Sequence, residues 1–229
     1  MAPMLAVLLV AASLPAGAVA HMLIERGPTD QPLFRPVTVG APTRARMLLQ
    51  VLVTGGFLLI GQRFASVTVG TLVALLALIT VLIALAIIDA TTYRLPDRIV
   101  LPMLCGSIVW VAVVALVDAH PERIRAALCG AAVYFGVLLI AHLISPRGMG
   151  FGDVKLAALL GLFLGWTTTS MLDAVALVLW AMIIGFAVGT LVGLIILLRR
   201  RSNRPFPFGP FLVIGTVIAL LASSRILAR

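Results

Sequence analysis

The chain has 229 residues, is 62% hydrophobic and carries charge on only 11% of its positions. Soluble domains carry about 25% charged residues, so a soluble globular enzyme is excluded. The formal net charge of +9 calls for no nucleic-acid partner, because basic residues mark the cytoplasmic loops of membrane proteins. Apolar runs recur at the length a bilayer requires, about 17 residues or more, and lack the alternation of a β-barrel. The expected fold is therefore all-α, a polytopic membrane helix bundle of about eight transmembrane helices. Residues 1–66 are expected to hold the N-terminal helices and a short cytoplasmic loop, and 67–229 a six-helix core.

Met4 to Val19 is the first apolar run. It lacks a basic start, so it is expected to be kept as a helix rather than cleaved as a signal peptide, although Ala18-Val19-Ala20 mimics a cleavage site. Glu25 to Arg46 is the longest polar stretch. Pro28, Pro32, Pro36 and Pro42 argue against a regular helix there. Met47 to Ile60 is the second run, interrupted by Gly55-Gly56, and Val67 to Ile88 the third, closed by Asp89. Ile99 to Val117 and Ala126 to Ile144 follow, then a glycine-rich loop from Ser145 to Gly152. Val154 to Trp166 is short for a spanning helix, and Met171 to Leu198 long enough to tilt or project. A basic loop, Arg199 to Pro207, precedes the last run, Phe208 to Leu221.

With eight crossings and the N-terminus outside, the outer turns hold Arg63, Arg123, Arg125, Arg225 and Arg229. The inner ones hold Arg26, Arg35, Arg44, Arg46, Arg94, Arg98, Arg147, Lys155, Arg199, Arg200, Arg201 and Arg204. That bias places Asp89 and Asp153 on the cytoplasmic side. Were the short sixth run re-entrant, the triple arginine would face outward, against the same rule.

Aspartates at membrane depth are costly, so each calls for a functional hypothesis. Asp89 stands at the C-terminal end of its helix, where the dipole disfavours negative charge; Asp153 stands at an N-terminal end, where it favours it. Two carboxylates brought together cannot easily both ionise. They are expected to share a proton, with Asp153 the base-like partner and Asp89 the protonated one, as in an aspartic protease. Gly150 and Gly152 lack Cβ atoms, so the chain there can turn sharply or approach another backbone. A bare loop of that kind can pair with an extended peptide substrate. Taken alone, Gly150-Phe151-Gly152-Asp153 also describes a flexible loop followed by an N-cap aspartate. Nucleotide binding fits poorly, since no strand precedes the loop.

Gly150-Phe151-Gly152-Asp153-Val154-Lys155 resembles the signature of the GxGD intramembrane aspartic proteases. Ile88-Asp89-Ala90-Thr91-Thr92-Tyr93-Arg94-Leu95-Pro96-Asp97 is similar to the first-aspartate motif of the type IV prepilin peptidases. Phe206-Pro207-Phe208-Gly209-Pro210-Phe211-Leu212 resembles that family's element before its last helix. The three occur in order across roughly residues 67 to 223. The resemblance implies a multi-pass endopeptidase of the bacterial inner membrane. It would remove the short basic leader of prepilins or pilin-like secretion subunits at the cytoplasmic face. Asp89 and Asp153 take the catalytic roles by position, and no metal or other cofactor is implied for proteolysis. Its partners would be the substrate helix and membrane lipid; the oligomeric state is left open. Many family members also carry paired Cys-x-x-Cys motifs near the N-terminus, associated with methylation of the new pilin terminus. Glu25 to Arg46 contains no cysteine, so a zinc-stabilised region cannot form there, and methylation by this chain has no basis in the sequence. A GxGD protease with a non-pilin substrate and a proton-coupled transporter are the alternatives.

Other residues have simpler readings. Asp97, after Pro96, is expected to be an N-cap; orienting Asp89 from behind is the sharper role. Lys155 is expected to snorkel to lipid phosphate, with influence on Asp153 the alternative. Pro102 should bend its helix. Cys105 and Cys129 lie in apolar segments and read as small core residues. His21 and His142 mark helix ends or contacts. Trp110, Trp166 and Trp180 are interfacial or packing aromatics. Gly185, Gly189 and Gly193 form a stripe for close helix packing.

Overall fold

The computed structural model describes residues 3–29, 43–146, 148–200 and 206–227, without the side chains of 199 and 200. The proline-rich segment with Pro32, Pro36 and Pro42, together with Arg147, Arg201, Arg204 and Arg229, lies outside the described residues, as do the side chains of Arg199 and Arg200. All regular structure among the described residues is helical: α1 (Pro3–Arg26), α2 (Arg44–Arg63), α3 (Val69–Thr92), α4 (Asp97–Val117), α5 (Glu122–Ile144), α6 (Phe151–Trp166), α7 (Met171–Arg200), α8 (Gly209–Leu221) and α9 (Ser223–Ile226). Six of these, α1 to α5 and α7, are long and apolar enough to cross a membrane. The chain is an all-α, multi-pass membrane protein. α6 and α8, with 16 and 13 residues, rise about 1.5 Å per residue and so fall short of a hydrocarbon core of about 30 Å.

The described chain divides into two compact units, Met1–Ile88 and Asp89–Arg229, with the break one turn before the end of α3. In the first unit α1 packs on α2. Polar side chains join them: Ser13 Oγ lies 2.8 Å from Thr54 Oγ1, and Gln50 Nε2 donates to the Ser13 carbonyl at 3.0 Å. Between helices already surrounded by hydrocarbon, burial supplies little drive, and hydrogen bonds of this kind hold the pair. Gly56 of α2 meets Ile79 of α3 closely; a Cβ there would lie 2.9 Å from the isoleucine side chain.

In the second unit α6 is the central helix. It touches α4, α5, α7 and α8, and its residues from Leu159 to Trp166 are all buried. The sequence accounts for this, because a helix apolar on every side is stable only when enclosed. Its closest neighbour is α5. Gly161 and Gly165 of α6 lie directly against the Gly130 and Ala126 carbonyls of α5, leaving no room for a Cβ at either glycine. α7 and α8 meet in the same way: a Cβ on Gly185 would come within 2.8 Å of the Phe211 carbonyl. Gly189 faces Phe208 and Phe211, and Gly193 faces Phe206, so the glycine stripe is a packing seam. Trp166 is buried within the unit, whereas Trp110 and Trp180 are exposed. Val109, Val113 and Leu116 form an exposed apolar stripe on α4, the face hydrocarbon would cover. Cys105 is also exposed and Cys129 half-buried. Reading Cys105 as a core residue is thereby corrected: an apolar run in a membrane protein has a lipid-facing side that composition alone does not separate from its packed side.

Candidate active site

Asp89 occupies the last turn of α3, three residues before its end. Its backbone carbonyl accepts from Tyr93 N–H at 2.8 Å, and its side chain is buried. The charge-bearing oxygen is met by another helix. The backbone N–H of Gly209, the first residue of α8, donates to Asp89 Oδ2 at 2.9 Å. The opening N–H groups of a helix lack intrahelical partners, and the helix dipole is positive there. Along the chain Asp89 has only the negative end of α3; folding adds the positive end of α8. Glycine at 209 permits this approach, since a Cβ would sit 2.8 Å from the carboxylate oxygen and one of the two would have to move.

Asp153 lies in the first turn of α6, with Gly150 as the N-cap. It is the third helical residue rather than the cap itself, and this corrects the N-cap alternative. Its N–H donates to the Gly150 carbonyl at 3.1 Å. Asp153 is also buried, and the charges of Asp89 and Asp153 act on one another. The chain thus brings one carboxylate from the end of α3 into electrostatic range of another at the start of α6.

The motif glycines act through lack of bulk rather than unusual dihedrals. No described glycine has a positive φ. Gly150 is extended, with φ −68° and ψ 142°. Gly152 is already helical, and a Cβ on it would lie 3.0 Å from Leu95 Cβ in the link between α3 and α4. The left-handed residue of this region is instead Tyr93, with φ 57°, immediately after α3. An aromatic side chain in that conformation is strained.

Asp97 and Lys155 are joined directly. Lys155 Nζ donates to Asp97 Oδ2 at 2.7 Å, and lies 5.1 Å from the centre of the Phe151 ring. Asp97 is the first residue of α4, with Pro96 as the N-cap and no capping side chain. The N-cap reading of Asp97 is overturned because its carboxylate leaves its own helix for Lys155. Lys155 in turn is held by protein rather than extended to lipid phosphate.

Two contributors were named in the sequence but not assigned to the site. Gly209 carried a signal in the Pro207-Phe208-Gly209-Pro210 run, but nothing local pointed it at Asp89. The Nδ1–H of His142, near the end of α5, donates to the Met149 carbonyl at 2.8 Å. Its ring packs on Phe151 at 5.4 Å, tying the glycine-rich loop to α5. Among the described residues no three His, Cys, Asp or Glu side chains gather as a metal-binding group.

Residues 76–198 match the type IV leader peptidase family, a segment that contains both buried acids and both motif glycines. The chain belongs to that family. Three prepilin leader peptidase/N-methyltransferases illustrate the similarity. The protein of Aeromonas hydrophila is 37% identical over 153 residues, covering 66% of this chain and 50% of that one. The Escherichia coli (strain K12) protein is 35% identical over 142 residues, covering 60% and 58%. A Pseudomonas aeruginosa protein is 33% identical over 160 residues, covering 67% and 50%. The chain spans about half the length of these relatives. No solved structure matches it. Gly209 lies beyond the segment matched to the leader peptidase family, yet it touches one of that segment's acids.

Proposed function

We propose that this chain is a membrane aspartic endopeptidase. It removes the basic leader from type IV prepilins or pilin-like secretion subunits at the cytoplasmic face of the inner membrane. The observation that carries this reading is the pair of buried acids, each beside a helix N-terminus, with charges that feel one another. Such a pair holds one proton in common. The ionised member takes a proton from water as it attacks the scissile carbonyl. The protonated member hydrogen-bonds the carbonyl oxygen, and a proton then passes to the leaving amine. Asp89 and Asp153 take these catalytic roles as a unit. The substrate is a helix with a flexible basic leader, cut where an extended segment can lie along the backbone of Met149 to Gly152. The relatives are named for peptidase and methyltransferase functions together; only the first is assigned to this chain.

The test is incubation of the purified protein with a prepilin, beside Asp89→Asn and Asp153→Asn. Leader removal by the parent and its loss in both variants, with folding intact, is the expected result. Full cleavage by either variant overturns the reading, and proton-coupled solute uptake without cleavage would favour a transporter.

A further inference from the structure

Lys155 stands in the opening turns of α6, where the helix dipole disfavours a cation. A carboxylate from another helix compensates it there: Asp97, the first residue of α4, at 2.7 Å. Asp97 directly follows the short link that begins after Thr92, and lies eight residues beyond Asp89 in sequence. Lys155 lies two residues beyond Asp153. The same two segments meet a second time, at Leu95 and Gly152, where a Cβ on the glycine would lie 3.0 Å from Leu95 Cβ. The lysine is further fixed over the Phe151 ring, and Phe151 rests on His142. One segment carries Asp89 at its root and the other carries Asp153, and the ion pair spans them.

We propose that Asp97 and Lys155 are positioning residues whose ion pair clamps the α3–α4 link to the first turn of α6 and so fixes the separation of Asp89 and Asp153. This rests on the peptidase reading for its catalytic consequence, but not for its geometry. Lys155 does not act on Asp153 directly, since residues two apart on a helix point to different sides; it acts through the backbone of the turn they share. Asp97 is more than half exposed and Lys155 about one-fifth exposed. An exposed pair adds little to global stability. Its effect is therefore expected on the geometry of the two acids rather than on folding.

The test has two arms. The first measures cleavage by Asp97→Lys, Lys155→Asp and the double charge swap. Each single reversal is expected to lower kcat about tenfold or more with KM little changed, and the swap to recover most of the loss, as coupled residues do. Unaffected single variants, a swap no better than the singles, or a change confined to KM would overturn the clamp. The second arm needs no activity. Leu95→Cys and Gly152→Cys are introduced together with Cys105→Ala and Cys129→Ala, and disulfide formation is followed under mild oxidation. A Cβ at 152 would lie 3.0 Å from Leu95 Cβ, closer than the about 3.5–4.5 Å of a disulfide, so a small outward shift brings the pair into range. The pair is expected to form rapidly, and about tenfold more slowly once Lys155→Met is added. No crosslinking, or a rate indifferent to Lys155→Met, would overturn the clamp. Crosslinking as expected in the double-cysteine protein, together with a parent protein that never cleaves a prepilin, would sink the peptidase reading and leave the clamp standing.

Discussion

The backbone N–H of Gly209 donates a 2.9 Å hydrogen bond to Oδ2 of Asp89. One helix ends and another begins on the same buried carboxylate. Gly209→Ala places a methyl group where Asp89 Oδ2 now lies 2.8 Å away. The carboxylate must move or α8 must shift. The expected outcome is a loss of leader cleavage of about 10²-fold, as for other small misplacements of reacting groups, while the protein remains folded. Steady-state cleavage and thermal unfolding in detergent, measured on the same preparation, check it.

Asp89 and Asp153 act on each other's charge. Replacing either by Asn removes the shared proton and should lower kcat by about 10²- to 10⁴-fold. If the peptidase reading holds, the parent protein should show a bell-shaped dependence of kcat/KM on pH. Activity is absent at low pH, where both acids are protonated and no base remains. It is absent again at high pH, where both are ionised and no acid remains. A profile with a single limb would count against a working pair.

Tyr93 adopts φ 57° directly after α3. Left-handed backbone costs a side chain about 1–2 kcal/mol, and a β-branched residue more. Tyr93→Gly is expected to hold or raise the unfolding temperature, and Tyr93→Val to lower it. If cleavage falls in Tyr93→Gly while stability rises, the strained conformation or the phenol ring serves the site. Thermal unfolding and cleavage assays on both variants separate these outcomes.

Gly161 lies against the Gly130 carbonyl where α5 and α6 cross. Gly161→Val forces the helices apart. Overpacking of this kind costs about 1–3 kcal/mol. Because α6 is enclosed and carries Asp153 at its start, both stability and cleavage should fall. A variant with normal stability and normal cleavage would show that the two helices do not pack so closely.

Much of the fold was legible in the sequence because hydrocarbon imposes a strong rule. Backbone groups cannot be left unpaired in a bilayer, so long apolar runs such as Leu72 to Ile88 have to be helices. The glycine stripe of α7 was legible for a related reason: small residues at one-turn spacing matter only for close contact. The surface that an apolar residue faces was not legible. Cys105 and Trp166 lie in equally apolar surroundings, yet the first is exposed and the second buried. In a membrane protein hydropathy no longer separates inside from outside.

The site was divided in the same way. Sequence singled out Asp89 and Asp153, because a carboxylate at the edge of an apolar run stands out, and it marked Gly150 and Gly152 beside them. It misassigned Asp97 as a cap, because local rules count only partners within the same helix.

By itself, the sequence determined that this chain is helical, lies in the membrane and carries two acids at helix ends. Those properties follow from composition and from order along the chain. Tertiary structure decided what each acid meets: the N–H of Gly209, 120 residues beyond Asp89, and the field of the other carboxylate. It also decided that Lys155 would be answered by Asp97, 58 residues before it. Hydrogen bonds and charges depend on distance through space, and separation along the chain does not encode that distance until the helices pack.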